Sequence, residues 1–439
     1  MPRTVHCIQR VSCRVGAPDQ VARAAQCCLS EEDRQVGDQV QCDVLIIGAG
    51  PAGLGFAAAL RGCGLAVTVL ERQTETALAE TAYDGREIAL TWRSIRILRE
   101  LGAWQRLPAD ELHAIRCARV LNGQRGPGMD ICPPADAPEG TAGPHAGALG
   151  ILVSNHLLRR ALYQTVRAES SIQLCPDSAV SSVRTDERCA TVTLEDGRVL
   201  RAKLLVAADS RFSATRRAIG IPARHLDFGK TMMVCRMRHT RSNERIALEW
   251  FGHHQTLAIL PLGEHQSSLV LTLPHAEIER LQALEASAFE RQMRERSDGR
   301  LGELTLVSDR FAYPLVAVYP DRFVATRFAA IGDAAVGMHP VTAHGFNLGL
   351  VAQETLARLI RRESTRRGRG DPGARAVLRA FDAAHRHATR PLYLATNAIV
   401  RLYTDESLPA RVVRRSLLQI ARRLPPVNTQ LSRLLMQSG

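Results

Sequence analysis

One stretch of this chain restricts its fold more than any other. It is Val44-Leu45-Ile46-Ile47-Gly48-Ala49-Gly50-Pro51-Ala52-Gly53, an apolar run that passes directly into a glycine-rich turn. A buried strand, a tight turn and a small-residue helix, in that order, aim free backbone N–H groups and a helix dipole at a dinucleotide pyrophosphate. Gly48 makes the turn, Gly50 lets the backbone approach the phosphates, and Gly53 lets the helix lie close on the sheet. The helix from Gly53 to Arg61 is nearly all Ala, Leu, Gly and Phe, so burial is expected. Leu65 to Leu70 reads as a second strand. It ends at Glu71, 18 residues past Gly53, where a carboxylate would accept hydrogen bonds from a ribose.

The chain supplies a control for this pattern. Gly368-Arg369-Gly370-Asp371-Pro372-Gly373 has the same glycine spacing, but no strand precedes it, arginines surround it and Pro372 interrupts it. It reads as a surface turn. Only the first copy has strand, turn, helix, strand and acid in sequence.

With 439 residues the chain can bury a large core, and two lobes with peripheral parts are expected. No apolar run is long enough for a transmembrane helix. The formal charge of +13 comes almost wholly from arginine, with Lys203 and Lys230 the only lysines. Such a balance suits anionic surfaces or is simple compositional drift. No nucleic-acid recognition motif accompanies it, so no nucleic-acid partner is expected. The 11 cysteines are scattered, with no C-x-x-C pair, and imply neither a metal site nor a disulfide framework; reduced, mostly buried thiols in a cytoplasmic protein are expected. Residues 1–40 show no clear period and lack a signal-peptide apolar core. They read as a disordered extension or a start codon placed too early, with a weak likeness to a transit peptide up to Pro18.

Alternating strand and helix patterns over 42–105 call for a mostly parallel sheet covered by helices. Residues 41–115, 148–222 and 308–360 are expected to interleave into one Rossmann-like α/β domain. Asn122 to Gly150, rich in Gly, Pro and Ala, reads as a long loop or irregular strand region, and residues 116–147 are set apart as a loop region. Strand-like runs from Lys230 to Leu273 suit an antiparallel sheet in a second domain over 223–307, a substrate lobe, and Glu277 to Arg296 reads as an exposed helix. Residues 361–439 read as helical, broken near Pro391, Pro409 and Pro425.

Two further motifs follow. Leu204-Leu205-Val206-Ala207-Ala208-Asp209-Ser210-Arg211 is a buried strand ending in an acid and a polar turn. Ala329-Ala330-Ile331-Gly332-Asp333 is another, followed by His339-Pro340-Val341-Thr342-Ala343-His344-Gly345-Phe346-Asn347. An acid at a strand end can bind a ribose or ribityl hydroxyl. A helix starting near Gly345 presents free N–H groups to negative charge.

The three motifs, in this order and at these distances, resemble those of the class A flavoprotein monooxygenases, over about residues 42–420. The stretch Tyr83-Asp84-Gly85-Arg86-Glu87-Ile88-Ala89-Leu90-Thr91 is similar to the ubiquinone-biosynthesis hydroxylase branch, as are Leu257 to Leu262 and the tail near Arg390 to Tyr403. The resemblance implies FAD as cofactor, with Gly48, Gly50 and Gly53 at its pyrophosphate and Glu71 at the adenosine ribose. It implies Arg86 at the phosphates or the incoming nicotinamide, and Asn155 as a polar flavin contact. Asp209 would serve FAD and NAD(P)H, and Asp333 the ribityl chain. Pro340, Gly345 and Asn347 would line the flavin ring.

The chain departs from the family pattern at Ser210, where Gly is usual, and at Val336, His344 and Ala352. If the turn at Ser210 needs positive φ, serine is strained there by about 1 kcal/mol or more. The implied activity is NAD(P)H- and O2-dependent hydroxylation of an electron-rich aromatic ring. His344 is the candidate acid–base residue, with ordinary loop hydrogen bonding as the alternative, and Trp250 and Phe251 either line a substrate cavity or belong to the core. The expected substrate is a polyprenyl phenol of ubiquinone biosynthesis. A soluble aromatic metabolite, or a non-catalytic FAD-binding role in an assembly, are the alternatives. A quinone-biosynthesis complex or the membrane surface is the expected partner. The spacing of Val412, Val413, Leu417, Ile420 and Leu424 among arginines gives either a membrane-surface helix or a packing helix.

Overall fold

Five apolar segments pair in parallel to form the centre of the molecule. The structure, a computed structural model, describes residues 41–123, 128–133, 145, 147–252, 255–339, 344–367 and 370–404. The expected N-terminal extension, Pro340, Pro409, Pro425 and the amphipathic segment after 405 lie outside them. The chain opens with β1 (Cys42–Ile47), α1 (Pro51–Ala59) and β2 (Val67–Leu70), then α2 (Glu75–Ala79), β3 (Glu87–Leu90) and α3 (Trp92–Leu101). Next come β4 (His113–Ile115), β5 (Cys117–Asn122), β6 (Met129–Ile131), β7 (Gly150–Ser154), α4 (Asn155–Arg167), β8 (Ile172–Cys175), β9 (Val180–Thr185), β10 (Ala190–Leu194), β11 (Val199–Ala207) and α5 (Ala214–Ala218). The second half holds β12 (Ala223–His239), β13 (Ile246–Phe251), β14 (Thr256–Pro261), β15 (Gln266–Pro274), α6 (His275–Gln282), α7 (Ala286–Arg296), β16 (Leu304–Leu306), β17 (Phe311–Pro320), β18 (Val324–Ala325), β19 (Phe328–Ala330), α8 (Gly345–Arg367) and α9 (Arg375–Thr404).

The first sheet has the order β18-β19-β11-β1-β2-β8, with β19, β11, β1, β2 and β8 parallel. The expected β-meander over β9, β10 and β11 is attached to it. Val44, Leu45 and Ile46 are completely buried, as a strand covered on both faces requires. Helix α1 has no polar face because α4 and α8 enclose it against the sheet. A third, small sheet, β3-β7-β4, is antiparallel.

The second sheet has the order β16-β12-β15-β14-β13-β5-β6, with β17 also on β12. It is antiparallel except where β13 runs parallel to β5. Three expectations are corrected here. The region 116–147 is not all loop, since it supplies β5 and β6, which close one edge of this sheet. The residues from Glu277 to Arg296 are not one exposed helix. They form α6 and α7, whose Ile278, Leu281, Phe289 and Met293 are fully buried over one sheet face. Finally, α9 passes through Pro391 without a break. A proline removes one helix hydrogen bond, but Thr389, Thr396 and Val400 on either side are buried and hold the helix in place.

The thiols are also not all reduced. Cys117 and Cys132 form a disulfide, while Cys42, Cys63, Cys175, Cys189 and Cys235 are free. The pairing follows from strand register: Ala118 faces Ile131 across β5 and β6, so the residues flanking that pair meet as well. A spacing of 15 residues gave no sign of it in the sequence.

The glycine turn is set by contact. A Cβ on Gly53 would stand 1.9 Å from the Gly48 carbonyl oxygen, whereas one on Gly50 would meet nothing within 4 Å. Gly53→Ala is therefore expected to destabilise the apoprotein by about 1–3 kcal/mol or more. Gly50→Ala should change it by no more than about 0.5 kcal/mol. Equal losses for the two variants in denaturant titrations would contradict this packing.

Candidate functional site

Register brings the three sequence motifs to one place. Ile47 of β1 aligns with Leu70 of β2 and Ala207 of β11, and Ala207 aligns with Ala330 of β19. Glu71, Asp209 and Asp333 thus follow the carboxyl ends of neighbouring parallel strands, where open α/β sheets hold their ligands. Each acid has a definite partner. Glu71 accepts a hydrogen bond from the Ala49 N–H at 2.7 Å. Asp333 meets Arg211 at 3.2 Å. Asp209 accepts from Ser213 Oγ (2.6 Å), the Thr215 N–H (3.1 Å) and Thr215 Oγ1 (2.9 Å), so its carboxylate holds the start of α5. Ser210 has φ of 132°, the positive value that glycine would take without strain.

Asn347 ties the third motif to β3. Its Nδ2 donates to the Ala89 carbonyl (2.9 Å) and its Oδ1 accepts from the Thr91 N–H (3.2 Å), and the side chain is buried in the first turn of α8. Gly345 begins that helix, and His344 immediately before it is buried. Asn155, at the start of α4, donates from Nδ2 to Asp84 Oδ2 (2.7 Å), and the same oxygen receives Arg86 Nη2 (2.6 Å). The Arg86 guanidinium also lies 5.4 Å from the centre of the Tyr313 ring. Burial opposes charge at Asp84, but Arg86 and Asn155 outweigh it and hold the carboxyl below its ordinary range.

Several functional neighbours escaped the sequence reading. Glu87, whose side chain is fully enclosed, receives Arg236 Nε at 3.0 Å and Ser154 Oγ at 2.8 Å. Arg236 also reaches Ser154 and Glu111, and lies 4.9 Å from the centre of the Tyr83 ring. This cluster joins the second sheet to the small one. The signal available was an Arg inside an apolar strand, at a position whose neighbours Val234 and Cys235 are buried. His339 belongs to the same motif as His344 and is also buried. Its ring packs edge-on to Phe228, and burial holds its imidazole down to about 4, with Lys230 and Arg211 adding to the effect.

The residues fit an FAD. The start of α1 has no side-chain cap, and the space above Gly50 is open. Backbone N–H groups of that helix, the Arg86 guanidinium and the start of α8 are the donor set an anionic diphosphate and a flavin ring require.

The chain belongs to the FAD binding domain family, whose pattern matches residues 41–371. Among known proteins it is 44% identical over 393 residues to the ubiquinone hydroxylase UbiM of Neisseria meningitidis, covering 90% of this chain and 84% of that one. It is 34% identical to the ubiquinone hydroxylase UbiL of Rhodospirillum rubrum, covering 88% and 87%. Its fold matches that of PqsL, a probable FAD-dependent monooxygenase from Pseudomonas aeruginosa, with a TM-score of 0.67 at 21% identity, over 85% of this chain and 99% of that one.

His339 has a measurable consequence. An unfolded chain protonates this ring near pH 6.5, whereas the folded protein does so only at about 4. Between those values the unfolded state binds more protons, so stability falls as pH drops. In denaturant titrations the loss between pH 7.5 and 5 is expected to be about 2 kcal/mol smaller in His339→Phe than in the parent. Identical losses would contradict the buried neutral ring.

Proposed function

We propose that this protein is a flavin-dependent monooxygenase that hydroxylates the ring of a polyprenyl phenol in ubiquinone biosynthesis. The observation carrying this reading is the convergence of three separated motifs at one edge of the parallel sheet, facing a second sheet built largely of apolar strands. The 44% identity to a ubiquinone hydroxylase supports the substrate class.

In this reading Gly48, Gly50 and Gly53 shape the diphosphate seat, Glu71 takes the adenosine ribose, and Asp333 the ribityl chain. Asn155, through Asp84, fixes Arg86 at the diphosphate or the incoming NAD(P)H, and Asp209 holds the adjoining turn. Pro340, Gly345 and Asn347 border the flavin ring, and His344 is the candidate for proton traffic beside it. Bound FAD supplies the reduction by NAD(P)H and the activation of O2. The protein supplies placement and a dry chamber.

Purified protein is expected to be yellow, and its NAD(P)H oxidation should accelerate with prenylated phenols. Expression in cells lacking a ubiquinone hydroxylase should restore the missing quinone by mass analysis. Stimulation only by small soluble phenols would favour a soluble metabolite, and colour without any stimulation an assembly role.

We also infer peripheral membrane contact, which such a greasy substrate favours. Among the described residues no helix is long and apolar enough to cross a bilayer. On α9, however, Pro391, Leu394, Ala395, Ala398 and Ile399 are exposed at helical spacing on one face. Leu394→Asp with Ile399→Asp is expected to reduce sedimentation with anionic vesicles several-fold. Unchanged sedimentation would remove the inference.

A further inference from the structure

The two faces of the second sheet have different surroundings. Met233, Trp250, Leu257 and Leu271 point to the side covered by α6 and α7, and strand alternation sends their neighbours the other way. That other face meets the FAD lobe. Ala247 and Leu260 share an apolar cluster with Ala89, Trp92, Ile115 and Leu149, and Ala89 is the residue whose carbonyl holds Asn347.

One register row crosses this inner face: Val120, Glu249, Ala258, Val270, Val234 and Phe311. Five members are apolar. The sixth is a carboxylic acid, two residues along β13 from the Ala247 contact. Glu249 makes no hydrogen bond or ion pair with the other described residues. Of the other described charged or titratable groups on this face, Tyr313 donates from its hydroxyl to the Asp84 carbonyl at 2.6 Å and Lys230 lies on β12 four residues from Val234. Arg236 lies three strands away, about 14 Å, and binds Glu87, Ser154 and Glu111. His113 stands beside Glu111, and His339 and His344 precede α8 in the chain. Arg119, on the strand next to Glu249, pairs with Asp130.

Resting on the function proposed above, we propose that Glu249 is a catalytic residue that hydrogen-bonds the substrate's phenolic hydroxyl and takes its proton during ring oxygenation. The phenol O–H bond breaks and a carboxyl O–H bond forms. The electron pair left on the phenolic oxygen enriches the ortho and para carbons, where an electrophilic oxygen adds. The oxygenated carbon then releases its hydrogen to solvent as a proton. Glu249 returns its own proton to the phenolic oxygen, and the carboxylate is restored. Glu249 is half-buried, and the loss of hydration among its apolar neighbours pushes the carboxyl up to about 8, close to the pH at which such a group exchanges protons most effectively. The same placement selects the substrate. An apolar register row holding one acid, with no described cation paired to it, accepts a neutral phenol and disfavours a ring carboxylate.

The test uses the holoenzyme with 2-geranylphenol. Glu249→Gln is expected to retain FAD and lose about 100-fold or more in kcat/KM, with Glu249→Asp recovering part of it. The parent's kcat/KM should rise with pH through about 8, and the Gln variant should lack that rise. Binding provides a readout independent of turnover. The oxidised parent should prefer the phenol to its methyl ether by about tenfold or more, and Glu249→Leu should abolish the preference. A Gln variant within threefold of an active parent, with the same pH profile, would overturn the role of Glu249 alone. A parent that hydroxylates no phenol would overturn both this role and the function on which it rests.

Discussion

Asn347 makes the contact on which the rest of the site depends. Two hydrogen bonds from one buried amide fasten the first turn of α8 to the backbone of β3 on either side of Leu90. Asn347 and Ala89 are 258 residues apart in the chain, yet this bond fixes their separation. Ala89 and Trp92 then pack on the second sheet. A single side-chain amide therefore sets the distance between the helix start that would face the flavin ring and the apolar face opposite. An amide suits this task because it offers a donor and an acceptor at once.

Arg236 and Glu87 provide the second connection between the sheets. Their side chains are almost wholly enclosed, and Ser154 and Glu111 complete the partners. Removing one member of such a pair leaves an uncompensated charge inside the protein, at a typical cost of about 3–5 kcal/mol. Burial is the largest influence on Glu87 and pushes its carboxyl up despite Arg236. The strand that follows Arg86 is therefore held by the polar network at Glu87 and by apolar packing at Ala89.

Much of this arrangement was legible in the sequence because it rests on local signals. Apolar runs ending in Gly or an acid marked β1, β2, β11 and β19, and the steric reason for Gly53 emerged as a close approach to Gly48. The positive φ at Ser210 bears out the strain that its departure from glycine implied. What escaped was whatever depends on register between distant segments. Glu87 and Arg236 are 149 residues apart. The disulfide depends on β5 meeting β6, two short strands in a stretch whose Gly and Pro content suggested loop. The burial of α6 and α7 was missed because their large apolar residues are few and widely spaced, although Ile278, Leu281, Phe289 and Met293 all face the sheet. Glu249 was visible as the only acid in Ile246–Phe251, but its face could be assigned only once β13 had neighbours on both sides.

The chemistry of the inter-sheet cluster makes it respond asymmetrically to solvent. A guanidinium keeps its charge under any alkaline condition a protein survives, and the Tyr83 phenol beside it is pushed far up by burial. Glu87, already shifted upward, is the group that gives way when acidity increases. The folded protein binds that proton more readily than the unfolded chain does, so the join between the two sheets changes only on the acid side, where protonation relieves the burial cost at Glu87, and the segment presenting Arg86 inherits that one-sided dependence.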